Sequence, residues 1–217
     1  VMYYNGTNWA RLGYGTDGHF LKTQGASANP VWAAGAGGGA TDINGLSDAL
    51  VENNSIWLGS DPSGTTDTAS NNVAVGTTAL DAVTTADETV AIGYNALTAA
   101  TTGTANTAVG SAALAALTTG SQNTSVGKNS SDAITEGDNN TAIGDGALSA
   151  TTTADDNTAL GVQTLKLNTT GATNTAVGRS ALFENTTGAN NVAVGYQALD
   201  ANTTATQNVA IGNGALG

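Results

Sequence analysis

From Asn72 to the end of the chain, apolar and polar positions recur with a long period. An aliphatic residue stands immediately before a glycine at Val75, Ile92, Val109, Val126, Ile143, Leu160, Val177, Val194 and Ile211. Two residues earlier comes Val or Thr (Val73, Val90, Thr107, Thr124, Thr141, Thr158, Thr175, Val192, Val209), and between them a small residue, Ala74 or Ser125 for example. Each triplet alternates as a strand does, so its first and third residues share one face. The closing glycines are Gly76, Gly93, Gly110, Gly127, Gly144, Gly161, Gly178, Gly195 and Gly212, with Gly59 ahead of them, always 17 residues apart. A period kept without insertion is the mark of a solenoid, whose units cannot bury an apolar face alone and must stack. The predicted fold is all-β, a parallel β-roll or β-helix of 17-residue coils. At about 4.8 Å per rung the repeat region makes a rod on the order of 45 Å long.

The columns assign the interior. The aliphatic residues before the glycines, Val75 through Ile211, are expected to form the structural core, with the Val/Thr column beside them. The small residues point the other way, and their confinement to Ala or Ser predicts a second covered face, packed against another chain. A second short strand is expected at the Ala-Leu pairs ending in Leu80, Leu97, Leu114, Leu148, Leu165, Leu182, Leu199 and Leu216. Ser130-Ser131 interrupts that column, and Ile134 is placed to compensate. Four residues before the glycines, Asn106, Asn123, Asn140, Asn157, Asn174, Asn191 and Asn208 run unbroken, with Asn72 earlier. Stacked amides in parallel rungs predict a hydrogen-bonded ladder; the same residues also suit turns that need left-handed backbone. Thr-Thr-Gly or a relative, as at Thr118-Thr119-Gly120, marks a polar outer corner.

Residues 1–34 lie outside the period. Aromatic and β-branched runs separated by Asn5-Gly6 and Asp17-Gly18 predict a small β-meander of three short strands. Three strands make a poor core, so the module is expected to borrow apolar surface. Residues 35–54 read as a Gly-rich linker and connecting segment, with a turn and one short helix across Asp42–Val51. The solenoid then covers 55–217. Its first unit, 55–71, has Trp57 in place of Ala and Pro62-Ser63 in place of Ala-Leu, as a capping rung would.

Composition narrows the chemistry. Five basic against 17 acidic residues give a net charge of -12, so nucleic acid and an anionic membrane surface are not expected partners. No apolar run approaches the roughly 18 residues of a membrane-spanning helix, and no membrane insertion is expected. With no Cys and the single His19, neither a thiolate metal site nor Cys or Ser-His-Asp catalysis has its residues. The glycine spacing matches no phosphate-binding or dinucleotide-binding loop. Asp138 and Asp155, 17 residues apart with Glu136 and Asp156 near, should be vertical neighbours at a corner. A carboxylate pair is what a glycan hydrolase or a calcium site uses, but a solvated corner is the simpler reading. Adjacent threonines such as Thr118-Thr119 point to opposite faces of a strand, which argues against an ice-binding face of such pairs. No catalytic residue, cofactor or metal site is predicted.

Asn174-Thr175-Ala176-Val177-Gly178-Arg179-Ser180-Ala181-Leu182 and Asn191-Val192-Ala193-Val194-Gly195-Tyr196-Gln197-Ala198-Leu199 resemble repeats of bacteriophage tail fibres, marine phages in particular. They are also similar to the Asn-Ser-Val-Ala-Ile-Gly head repeats of trimeric autotransporter adhesins, which form trimers of left-handed β-rolls with shorter repeats. Tyr3-Tyr4-Asn5-Gly6-Thr7-Asn8-Trp9, Asp17-Gly18-His19-Phe20-Leu21 and Pro30-Val31-Trp32 resemble a module found upstream of such repeats in phage fibre proteins. The resemblance implies a non-enzymatic, homotrimeric fibre segment, intertwined or side by side, outside the cell on a virion. Its expected partners are copies of itself, other tail or fibre proteins, and a host-surface glycan or protein receptor. The alternatives are an adhesin head on a bacterial surface and, lower, a tailspike depolymerase or an ice-binding solenoid. The column after the glycine (Thr77, Tyr94, Ser111, Lys128, Asp145, Val162, Arg179, Tyr196) varies freely and, if outward, is where recognition would sit. The chain starts at Val1 and ends soon after a repeat glycine, and is expected to be part of a longer polypeptide.

Overall fold

A computed structural model describes residues 2–4, 7–13, 19–22, 31–34, 49–59 and 68–217. The Asn5-Gly6 and Asp17-Gly18 turns, the linker over 35–40, the turn expected at 42–48 and Pro62-Ser63 lie outside the described residues. The chain divides into two compact units, Val1–Ser47 and Asp48–Gly217. In the first unit, β1 (Met2–Tyr4) pairs antiparallel with β2 (Trp9–Arg11), and β3 (His19–Lys22) with β4 (Val31–Ala34). Among the described residues the single meander expected here is two two-stranded sheets, each strand pairing with its neighbour along the chain.

The described strands of the second unit form one sheet. β5 (Ala49–Glu52) pairs antiparallel with β6 (Ser55–Leu58) across Asn53 and Asn54, whose φ values of 46° and 60° suit a two-residue hairpin turn. The short helix expected through Val51 is thus a strand over 49–52, its Leu50 and Val51 opposite Trp57 and Ile56. From β6 onward pairing is parallel and in register at 17 residues, from β7 (Val73–Val75) to β15 (Val209–Ile211). Identical columns therefore stack: Val73 on Val90, Ala74 on Ala91, Val75 on Ile92.

The alternation within each strand is as expected, but its polarity is reversed. The small middle residues are buried: Ala91, Ala108, Ser125, Ala142, Ala159, Ala176 and Ala193 have no exposed surface. The column expected as core, Val75, Ile92, Val109, Val126, Ile143, Leu160, Val177, Val194 and Ile211, lies on the outer face, with Ile92 39% and Leu160 43% exposed. The physical reason is a narrow interior. A 17-residue coil must turn back on itself within a few residues of the strand, and that leaves room behind the sheet for small side chains and one large one. Leu80, Leu97, Leu114, Leu148, Leu165 and Leu182 are that large one, fully buried, with Ser131 in their place in the rung between Leu114 and Leu148. The small residues thus give no sign of a second chain against that face; the coil itself covers it.

The Ala-Leu segment is a turn and not the expected second strand. Leu97 has φ 51° and Leu148 φ 54°, and Ala96 N–H donates to the Gly93 carbonyl at 3.3 Å. Left-handed backbone costs a residue other than glycine about 1–2 kcal/mol. Full burial of a leucine contributes about 1.5–3 kcal/mol, so the conformation persists. Ser130 and Ser131 do interrupt the apolar interior: Ser125 Oγ donates to the Ser130 carbonyl at 2.8 Å, and Ser130 Oγ to the Ala142 carbonyl at 3.1 Å. Ile134 is fully buried, in the column that also holds Leu117, and the apolar core separates here into two clusters.

Three polar ladders bind rung to rung. In the asparagine ladder, Asn140 Oδ1 accepts the Asn157 backbone N–H at 3.0 Å and the Asn157 amide at 3.2 Å; Asn157 Oδ1 receives Asn174 in the same way. The amide of Asn140 also reaches the Ala154 carbonyl, at 2.8 Å. Left-handed backbone falls on the residue before each ladder asparagine, as at Asn139 and Asp156, so the column is a ladder and not the turn residue. Thr89 replaces asparagine between Asn72 and Asn106, yet its N–H still finds Asn72 Oδ1 at 2.9 Å. Threonine hydroxyls make the second ladder, Thr101 to the Thr118 carbonyl at 3.1 Å and Thr118 to that of Thr135 at 3.0 Å, so half of the expected polar corner turns inward. The third, Asn168, Asn185 and Asn202, is linked amide to amide at 2.8 Å and succeeds Val83, Ala100, Leu117, Ile134 and Thr151 in one column.

The repeat glycines are set by close approach. Gly144 has φ 138°, and a Cβ built on it would stand 2.3 Å from the Gly161 carbonyl oxygen of the next rung. Gly146 has φ 63° and only Gln163 Cγ within 4.0 Å. Gly144→Ala is therefore expected to destabilise by at least about 1–3 kcal/mol from backbone strain alone, whereas Gly146→Asn, matching Asn95 and Asn129 in its column, leaves thermal denaturation nearly unchanged. Asn157→Ala leaves the buried Asn174 N–H unpaired and should cost about 1–3 kcal/mol, with faster hydrogen exchange at Asn174 as the local readout.

Candidate functional site

The outer face of the parallel sheet is the most continuous feature open to a partner. Two columns cover it, the Val/Thr column from Val73 to Val209 and the aliphatic column from Val75 to Ile211, and neither holds a charge at any position. In-register pairing makes each column straight, so the aliphatic side chains form an unbroken ribbon beside a row of threonines from Thr107 to Thr175. The column after the glycines is outward as the recognition reading requires: Thr77, Tyr94, Ser111, Lys128, Asp145, Val162, Arg179 and Tyr196 are all exposed. Tyr94, Val162 and Tyr196 extend the apolar ribbon beyond the strand ends. In the first unit Met2, Tyr4 and Trp9 are also largely exposed, with the Tyr4 and Trp9 rings 5.8 Å apart.

The carboxylates form no catalytic pair. Asp138 and Asp155 are vertical neighbours as expected, but each carboxylate accepts a backbone N–H of the preceding rung: Asp155 Oδ1 from Asp138 at 2.8 Å, Asp138 Oδ1 from Ser121 at 2.6 Å. Asp87 does the same for Ser70 at 2.7 Å. These acids hold the corner together. Glu136 and Asp156 are exposed beside them. Among the described residues no group of three or more His, Asp or Glu stands close enough to hold a metal ion, and no helix is long and apolar enough to cross a membrane. His19 lies in β3, away from these acids in sequence and in a different unit.

A second feature was not legible as a site in the sequence. The turns after Gly161, Gly178 and Gly195 border an open recess of about 330 Å³ lined by Gln163, Ser180, Phe183, Glu184, Gln197, Asp200 and Ala201. Lys166, Phe183 and Asp200 occupy one column on successive rungs, and Lys166 Nζ lies 5.7 Å from the centroid of the Phe183 ring. The only hint in the sequence is that Phe183 is the one aromatic in a column otherwise made of Asp81, Thr98, Ala115, Asp132, Ser149, Lys166 and Asp200.

Asp132, beside the serine interruption, is among the described residues the one acid whose environment opposes its charge. Its Oδ1 is buried without a hydrogen-bond partner, and desolvation raises its carboxyl above the ordinary value of 3.8 despite an opposing backbone hydrogen bond. As pH rises past 3.8 the unfolded chain releases this proton first, so stability falls until the folded carboxyl has ionised too. Asp132→Asn should therefore raise the melting temperature at pH 7, with the difference from the parent shrinking as pH falls toward 3.8 and gone below it.

Compared with protein-family models, curated proteins and solved structures, the chain matches none.

Proposed function

We propose that this chain is a structural segment of a homotrimeric bacteriophage tail fibre, extending from the virion and supporting or making contact with a host receptor. The observation that carries the reading is the uncharged, exposed aliphatic ribbon along a nine-rung rod. With rungs about 4.8 Å apart the ribbon runs roughly 40 Å, and at a width of about 10–15 Å it presents roughly 400–600 Å². The largest apolar patch on a typical monomer is about 300–600 Å², and such patches are often functional. The rest of the chain has 17 acidic residues, so copies should repel except along this face. Three copies turning their sheets toward a common axis would bury the ribbon and leave the charged corners in water. The rod supplies reach and stiffness, and trimerisation multiplies weak receptor contacts.

Family resemblance in the repeats and in the opening module supports a phage fibre above an autotransporter adhesin head, for which the same ribbon would serve equally. The depolymerase reading weakens, since Asp138 and Asp155 are engaged with backbone N–H groups. Ice binding gains one favourable observation, the outward row Thr107, Thr124, Thr141, Thr158 and Thr175. Assembly decides between these readings, because an ice-binding face must stay open.

Sedimentation of the 217-residue chain should give a native mass near three times 21.2 kDa. Ile143→Asp, placed on the outer face, should release folded monomers with unchanged β circular dichroism. A folded parental monomer that leaves the ribbon open would overturn the fibre reading and favour the ice-binding one.

A further inference from the structure

We propose that the recess formed by the turns after Gly161, Gly178 and Gly195 is a binding site for a neutral pyranose. Its volume of about 330 Å³ lies at the small end of ligand sites, a size suited to a mono- or disaccharide. The lining combines the groups that recognise a sugar. The half-buried Phe183 ring offers a π surface, with its negative face and positive edge, to the C–H groups along one side of a pyranose. The side-chain amides of Gln163 and Gln197 each carry donors and an acceptor, the Ser180 hydroxyl is both, and the carboxylates of Glu184 and Asp200 accept from hydroxyls. Neighbouring ring hydroxyls, which both donate and accept, match such a mixed set.

The frame is rigid before any ligand arrives. Gln163, Ser180 and Gln197 sit at φ 58°, 57° and 54°, and their N–H groups donate to the Asp145, Val162 and Arg179 carbonyls at 2.9, 3.0 and 3.1 Å. The side chains thus project from backbone locked to the preceding rung, which lowers the ordering cost of binding. Lys166, over the Phe183 ring, limits that ring's freedom. Charge selects among sugars. Two carboxylates line the recess, against the one cation Lys166 over the Phe183 ring, in a chain of net charge -12, which disfavours sialic acids, uronic acids and phosphorylated glycans.

As the ligand class for host attachment, the site rests on the fibre reading. The binding itself does not, because the recess lies on the turns and the aliphatic ribbon on the strands, so assembly and sugar binding can fail separately.

Saturation-transfer NMR on the whole chain tests this with glucose, galactose, mannose, N-acetylglucosamine and N-acetylgalactosamine, and with sialic acid as the anionic probe. At least one neutral sugar should bind with a Kd of about millimolar order. Phe183→Ala should weaken it at least tenfold; Gln197→Ala, at a polar half-exposed position, should do so without disturbing the fold, and the distant, exposed Thr119→Ala should leave it unchanged. Sedimentation on the same samples reports assembly independently. Transfer to none of the neutral sugars, transfer to sialic acid instead, or binding that survives Gln197→Ala in folded protein would each overturn the proposal.

Discussion

Every rung of this solenoid rests on the next through its glycine. The carbonyl of each repeat glycine occupies the place where a Cβ on the preceding one would stand, at 2.3 to 2.8 Å along the stack from Gly76 to Gly195. At that approach neither a side chain nor a displaced register can be accommodated, and φ between 125° and 140° excludes other residues independently. Constancy of the 17-residue period follows from this contact. An inserted residue would bring a Cβ into the glycine column and shift the asparagine and threonine ladders out of line together.

With register locked, the interior is small, and its smallness decides which apolar residues are inside. In all but the Ser131 rung a turn leucine, surrounded mainly by alanine, glycine and asparagine, fills most of the coil. Polar groups are tolerated inside because each ladder satisfies them. Asn123, Asn140, Asn157, Asn174 and Asn191 are almost wholly buried, yet each finds backbone and side-chain partners. The β-branched and aliphatic residues that a larger core would have absorbed stay on the outer face of the sheet. The surplus of apolar surface outside is therefore a consequence of the narrow coil, and it is this surplus that the proposed trimer uses.

Departures from the repeat stand out against so regular a frame. Trp57 takes the alanine position in the first rung and is completely buried, its indole N–H without a hydrogen-bond partner, where the antiparallel β5–β6 hairpin ends the parallel stack. Ser125, Ser130 and Ser131 bring a hydroxyl cluster into the middle of the interior and divide the apolar core. Phe183 places an aromatic ring among polar turn residues and gives the recess its one apolar surface suited to a sugar ring.

The amino-acid sequence by itself determined the period, the parallel in-register stacking, the glycine column and the asparagine ladder. All of these follow from identity at fixed spacing, which forces like onto like whatever the shape of the coil. It also determined that two columns of each strand share a face opposite the small residues. Only the tertiary structure decided which of those faces is inside, because alternation has no sign until the volume enclosed by the coil is known. The same holds for the leucine segment, a strand by composition but a left-handed turn once burial outweighs its strain. It holds as well for the recess, whose residues come from three rungs and meet only when the turns stack. The charged corner was legible as neighbours, Asp138 above Asp155, but its role as a backbone acceptor needed the positions of the N–H groups.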